Sequence, residues 1–161
     1  MLGSVLIALQ ASRRDGRGVT SAEFLQPLNI GPGEIEGVQA DGGPWAAGLV
    51  YFAIIRYTAF VHIDTSADAG AQSEAFFAAV IDSFRVAARF LDQRPPSITA
   101  GMAAAGLSLR LFVDVRMDQD QMELEFPPEI LAACGRHGLG VYVITNDIPA
   151  AEVLEARGAT S

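Results

Sequence analysis

No lysine occurs among the 161 residues; all eleven basic residues are arginine. That absence removes Schiff-base catalysis, a lysine-bearing phosphate loop and any lysine general base. It also matches a GC-rich coding sequence. Cysteine is nearly as scarce: Cys134 stands alone, which excludes an intrachain disulfide framework and suits a reducing compartment. Two histidines and one cysteine cannot close a zinc tetrad without carboxylates, so neither a metal nor a cofactor is expected. Asp118, Asp120 and Glu123 gather in a turn, but Glu123 stands where an EF-hand loop needs glycine, and the terminal glutamate of such a loop is missing.

Positive charge is short as well. Nineteen acids against eleven arginines give a net charge of −8, which disfavours nonspecific nucleic-acid binding and approach to an anionic membrane. Long apolar runs are absent in the form that targeting needs. In MLGSVLIALQASRR the arginines follow the apolar stretch, the reverse of a signal peptide. The run from Trp45 to Ile55 is too short to span a bilayer, and extending it brings in Arg56 and His62. A soluble cytoplasmic protein is expected.

What is present is a core. Half of the residues are hydrophobic, enough for a single domain of this length to bury roughly 70% of the surface its unfolded chain exposes. Ser4 to Ser12 reads as a strand. Thr20-Ser21-Ala22-Glu23 is a capping box with Val19 and Phe24 as its staple, and Pro27 keeps the helix it opens short. Residues 31–44 are rich in glycine and proline and read as a loop with a brief strand near Ile35 to Gln39. Gln72 to Gln93 is the one long helix, with Phe77, Val80, Phe84, Ala88 and Leu91 as its inner stripe. Phe76, Val86 and Phe90 widen its apolar arc, so the following segment or a second subunit must cover them. Pro95-Pro96 stops it, and Ile98 to Ala105 forms a short helix ended by Gly106. From Leu107 the spacing predicts a β-hairpin returning through Met122 to Phe126, a helix from Pro128 to Gly138, a strand from Gly140 to Thr145 and a terminal helix over Pro149 to Arg157.

The pattern implies an α+β fold, a two-layer sandwich with helices on one face of a mostly antiparallel sheet. Two stretches alternate with period two. In Tyr51 to Asp64, Arg56, Thr58, Phe60, His62 and Asp64 share a side; in Leu107 to Asp118, Arg110, Phe112, Asp114, Arg116 and Asp118 do. Both rows are expected side by side on the uncovered face, either as solvated charge pairs or as a contact surface for a subunit or ligand.

Catalytic constellations are thin. His62 and Asp64 project to one side about 7 Å apart along a strand, a general-base arrangement, but no serine lies in a nucleophile elbow. Cys134 and His137 stand three apart on a helix, a spacing that allows a thiolate pair, yet Cys134 shares the apolar side with Ile130 and Leu131 and reads as a buried structural thiol. His137 falls in the last helical turn, where a cation complements the helix dipole. Arg13, Arg14 and Arg17 before the Thr20 helix form a weak anion-site candidate without the spacing of a phosphate fingerprint. Trp45, the single tryptophan, reads as an anchor at the core edge.

The words LRLFVDV (residues 109–115), LEFPPEILAAC (124–134) and HGLGVYV (137–143), with the early helix VTSAEFLQPL (19–28), Trp45 and the central helix from Gln72 to Leu91, resemble a bacterial family of small α+β domains of unknown function. The resemblance covers roughly two thirds of the chain. It implies a binding role, toxin neutralisation among them, and carries over no functional residue. Tyr51 to Asp64 is longer than in that family, and its glycine-rich basic loop is weak here.

The expectation is therefore a non-enzymatic binding protein, a homodimer or a binder of another protein, with no nucleic-acid or membrane partner. The rival is a small-molecule binder or enzyme on the open face, with Arg56 or Arg110 clamping a carboxylate and His62 as base. A third reading is an acidic immunity-type protein meeting a basic toxin.

Overall fold

β1 (Leu2–Arg13) is the axis of the molecule. Around it the chain adds α1 (Ser21–Leu28), β2 (Gly37–Ala40), β3 (Val50–Val61), α2 (Ala69–Asp92), α3 (Ile98–Ala104), β4 (Leu107–Met117), α4 (Pro128–His137) and β5 (Gly140–Asn146). This computed structural model describes residues 2–40, 50–61, 69–117 and 123–146. The five strands form one sheet in the order β2-β3-β1-β4-β5. Every neighbouring pair is antiparallel except β4 and β5, which run parallel. Helices cover one face, with α2 across β1 and β3 and α3 against β4, so the fold is the expected α+β two-layer sandwich. Among the described residues no helix is long and apolar enough to cross a membrane.

The alternation of β4 survives intact: Leu107, Leu109, Leu111, Val113, Val115 and Met117 are buried under the helices, and the residues between them are not. α2 answers with Phe76, Val80, Phe84, Ala87, Ala88 and Leu91, one buried stripe at helical spacing. Of the residues that widen its apolar arc, Phe76 and Phe90 are buried within the chain, the first of the two expected covers, while Val86 and also Phe77 are only partly buried. The Phe76 ring sits so close over β1 that a Cβ added at Gly3 would lie 2.7 Å from its Cε2 atom. Glycine at position 3 is the condition for that packing.

Local signals set the helix ends. The Thr20 hydroxyl accepts the Glu23 N–H at 3.2 Å while the Glu23 carboxylate accepts the Thr20 N–H at 3.0 Å, and Val19 and Phe24 beside them are fully buried. That is the complete capping box with its staple. α4 opens on Pro128 and closes at Gly138 in the left-handed region. A single buried side chain, Arg94, ties off two helices. Its Nη1 donates to the carbonyls of Leu28 at 2.7 Å and Asn29 at 2.9 Å, its Nε donates to the Phe90 carbonyl at 3.2 Å, and its Nη2 pairs with Glu34. The orphan carbonyls at the end of α1 and in the last turns of α2 are thereby satisfied at once.

Two expectations about the elements change. Among the described residues the predicted hairpin has no returning strand: residues 123–127 join no ladder, because β1 and β5 already occupy both edges of β4. Instead this segment straps over α2, with Phe126 packed on Phe84 at a ring separation of 4.9 Å. Met122, Trp45, Asp118, Asp120 and the terminal helix Pro149 to Arg157 lie outside the described residues.

Candidate functional site: the open sheet face

The register fixes what the uncovered face carries. On β4, Arg110, Phe112, Asp114 and Arg116 point away from the helices, as expected. They pair with Gln10, Ala8, Leu6 and Ser4 of β1. On the far side of β4, Phe112 pairs with Tyr142 and Asp114 with Ile144 of β5. On the far side of β1, Gln10 pairs with Phe52, Ala8 with Ile54 and Leu6 with Tyr57 of β3. Three rows therefore cross four strands: Phe52–Gln10–Arg110–Gly140, Ile54–Ala8–Phe112–Tyr142 and Tyr57–Leu6–Asp114–Ile144.

The second expected row does not join them. β1 separates β3 from β4, so the two rows are not neighbours. The register also shifts between Ile7 and Ala8: Ile7 pairs with Arg56 but Ala8 with Ile54, leaving Ile55 as the extra residue of a β-bulge. Beyond it, Arg56, Thr58 and Phe60 pair with Ile7, Val5 and Gly3 of the helix-covered side, and Tyr57 and Ala59 with Leu6 and Ser4 of the open side. Tyr57, expected inside, is 52% exposed. A one-residue slip exchanges the faces of everything after it. Arg56 pairs with Glu36 at 3.5 Å, and its Nε is buried without a hydrogen-bond partner among the described residues. His62 and Asp64 lie outside the described residues.

Phe52 meets Phe112 edge-on at 5.1 Å between ring centroids, and Phe112 stacks near Tyr142 at 6.0 Å. Arg110 lies over the Tyr142 ring, its guanidinium carbon 3.9 Å from the centroid, a cation–π contact. Its Nε donates to the Gln10 side-chain carbonyl. Gln10 is buried by these flanking side chains, although no helix among the described residues covers it. Along β4, Arg116 grips Asp114 through Nε at 2.9 Å and Nη2 at 2.8 Å. Among the described residues no carboxylate pairs with Arg110. The face thus presents an aromatic middle, a matched charge pair at one end and an arginine held by its Nε and its ring plane at the other.

Gln10, Phe52, Ile54 and Tyr142 belong to this surface, and sequence reasoning passed them over. Gln10 gave the available signal, a lone large polar residue at even spacing from Ser4 and Ser12 in an otherwise apolar strand.

The remaining candidates have structural roles. Cys134 is buried, and burial pushes its thiol up to about 11, so the reactive thiolate is suppressed. His137 lies in the last turn of α4, as expected, but with its side chain buried. It is 5% exposed, its Nε2 lies 2.8 Å from the Leu91 carbonyl and its own carbonyl accepts the Thr99 hydroxyl. In the first loop, Arg13 pairs with Asp15 and Glu23, and Arg17 with Asp15. The carboxyl of Asp15 is held below its usual range, first by the Arg17 backbone N–H. Two of the three arginines of that anion-site candidate therefore already have carboxylate partners. A groove of about 390 Å³ between α2 and the 123–127 strap is lined by Phe77, Val80, Ile81, Glu123, Leu124 and Glu125 and shares no residue with the open face. Among the described residues no cluster of three metal-ligating side chains forms.

No family model, curated protein or solved structure matches this chain.

Proposed function

We propose that this protein works by binding rather than catalysis, and that the open sheet face is its working surface, covered by a second copy of the chain. The observation that carries the reading is the run of ring contacts from Phe52 through Phe112 to Tyr142, laid across strands on the face that no helix among the described residues covers. A row of large rings on an open sheet is the composition of an interface middle rather than of a solvated face. Strand spacing and length give roughly 600 Å² per copy, about 1,200 Å² for the pair, at the lower bound for a stable interface. On β4 the face carries two arginines and one aspartate although the chain has a net charge of −8, so this strand does not bring the chain's acidic excess into the contact. The single cysteine supports a reducing compartment such as the cytoplasm.

Sedimentation equilibrium tests the reading. The chain is expected to be dimeric at tens of micromolar, and Phe112→Glu is expected to make it monomeric while leaving its circular dichroism unchanged. A wild-type chain that remains monomeric at several hundred micromolar would overturn the proposal.

A further inference from the structure

We infer that the two copies meet about a twofold axis that passes through Phe112 perpendicular to β4, pairing Arg110 of each copy with Asp114 of the other. This rests on the open-face reading above and deepens it by naming the contacts. The argument begins from symmetry. Two sheets packed face to face by a twofold axis in the interface, across the strands, set each strand antiparallel to its own copy. Residues equally far before and after the axis then oppose one another. On β4, Arg110 and Asp114 lie two residues to either side of Phe112 and project on the same face, each about 7 Å from it along the strand. With Phe112 on the axis, two Arg110–Asp114 contacts form together.

The state of both side chains suits that role. Gln10 and the Tyr142 ring fix the guanidinium of Arg110, while no carboxylate among the described residues neutralises it. An arginine held in place through Nε and its ring face has its Nη edge left to receive a carboxylate. Asp114 is oriented by Arg116, and a carboxylate offers enough lone pairs to serve two arginines.

The neighbouring positions agree independently. The row Phe52–Gln10–Arg110–Gly140 comes to face Tyr57–Leu6–Asp114–Ile144 of the second copy. The smallest residue of the surface, Gly140, with nothing within 4 Å of where its Cβ would be, then lies opposite Ile144. Placing the axis along the strands instead would set Arg110 against Arg110, a like-charge contact that disfavours that alternative.

Charge exchange tests the register. Arg110→Asp and Asp114→Arg each place like charges at both contacts, and each is expected to weaken self-association at least about tenfold. An equimolar mixture of the two variants is expected to recover a heterodimer, and the double variant Arg110→Asp/Asp114→Arg a homodimer. Sedimentation equilibrium with fluorescently labelled chains reads all four. A dimeric wild type whose affinity neither single exchange changes would overturn the axis while leaving open-face pairing in place. So would a mixture that stays monomeric although both variants show native circular dichroism. A monomeric wild type overturns both. Should an exchanged variant misfold, Arg110→Gln carries the test, with weaker dimerisation and a smaller salt dependence expected; an unchanged affinity and salt dependence would overturn the axis.

Discussion

The two faces of β4 are built to different rules. Toward the helices stand Leu107, Leu109, Leu111, Val113, Val115 and Met117, every one buried and aliphatic or thioether. Away from them stand Ser108, Arg110, Phe112, Asp114 and Arg116, partly or fully exposed and mixed in chemistry. The first set is constrained by volume: each side chain fills a place in the core on the helix-covered side of the sheet. The second is constrained by charge order and by aromatic contacts across strands. Adjacent residues of one strand therefore answer to different pressures, one to stability and the next to what the surface meets.

The largest test of that contrast is Leu111→Ala beside Phe112→Glu. Leu111 is fully buried, so its truncation is expected to lower unfolding free energy by about 2–5 kcal/mol without changing the monomer–dimer constant of chains that remain folded. Phe112→Glu should do the reverse. Urea unfolding and sedimentation on the same samples would break the comparison if both variants moved both quantities alike.

A second test sharpens what holds the covered layer in place. Arg94→Leu leaves the carbonyls of Leu28 and Asn29 without their charged donor, and a loss of about 2–3 kcal/mol is expected, read by the urea midpoint. Association should be untouched, since Arg94 lies on the helix side. The smallest effect is acid sensitivity. Glu34 is held below its usual range by the Gly31 backbone N–H first and by Arg94 second, and Glu23 by the backbone N–H and hydroxyl of Thr20. A depressed carboxylate contributes stability above its unfolded pKa and loses it as the pH falls through the folded one. Melting temperature is thus expected to hold down to about pH 4.3, the unperturbed glutamate value, and to decline below it. Glu34→Gln should flatten part of that decline.

Most of the fold could be read from the chain because its signals are local. The capping box at Thr20, the Pro128 entry and Gly138 exit of α4, and the alternation of β4 depend on neighbours within a few residues. Half of the candidate site could be read for the same reason: Arg110, Phe112, Asp114 and Arg116 do line the open face. The other half could not. Alternation in β3 looks unbroken in the sequence, yet pairing with β1 spends one extra residue at Ile55 and inverts Arg56 and Thr58. Such an irregularity is decided by the partner strand, so periodicity within β3 carries no trace of it. The missing hairpin arm has the same origin: Leu124 and Phe126 have the spacing of a strand, but β5, from later in the chain, takes the edge they would need.

The bulge at Ile55 makes β3 sensitive to length in a way its composition conceals. Deleting that single residue would close the bulge, letting Arg56, opposite Ile7, follow directly on Ile54, opposite Ala8, and would leave Tyr57, Thr58 and Ala59 on the faces they now occupy. A one-codon deletion beyond the bulge, at Tyr57, would instead set Thr58 opposite Leu6 on the open side and Ala59 opposite Val5 under the helices, while the hydropathy profile stayed almost the same.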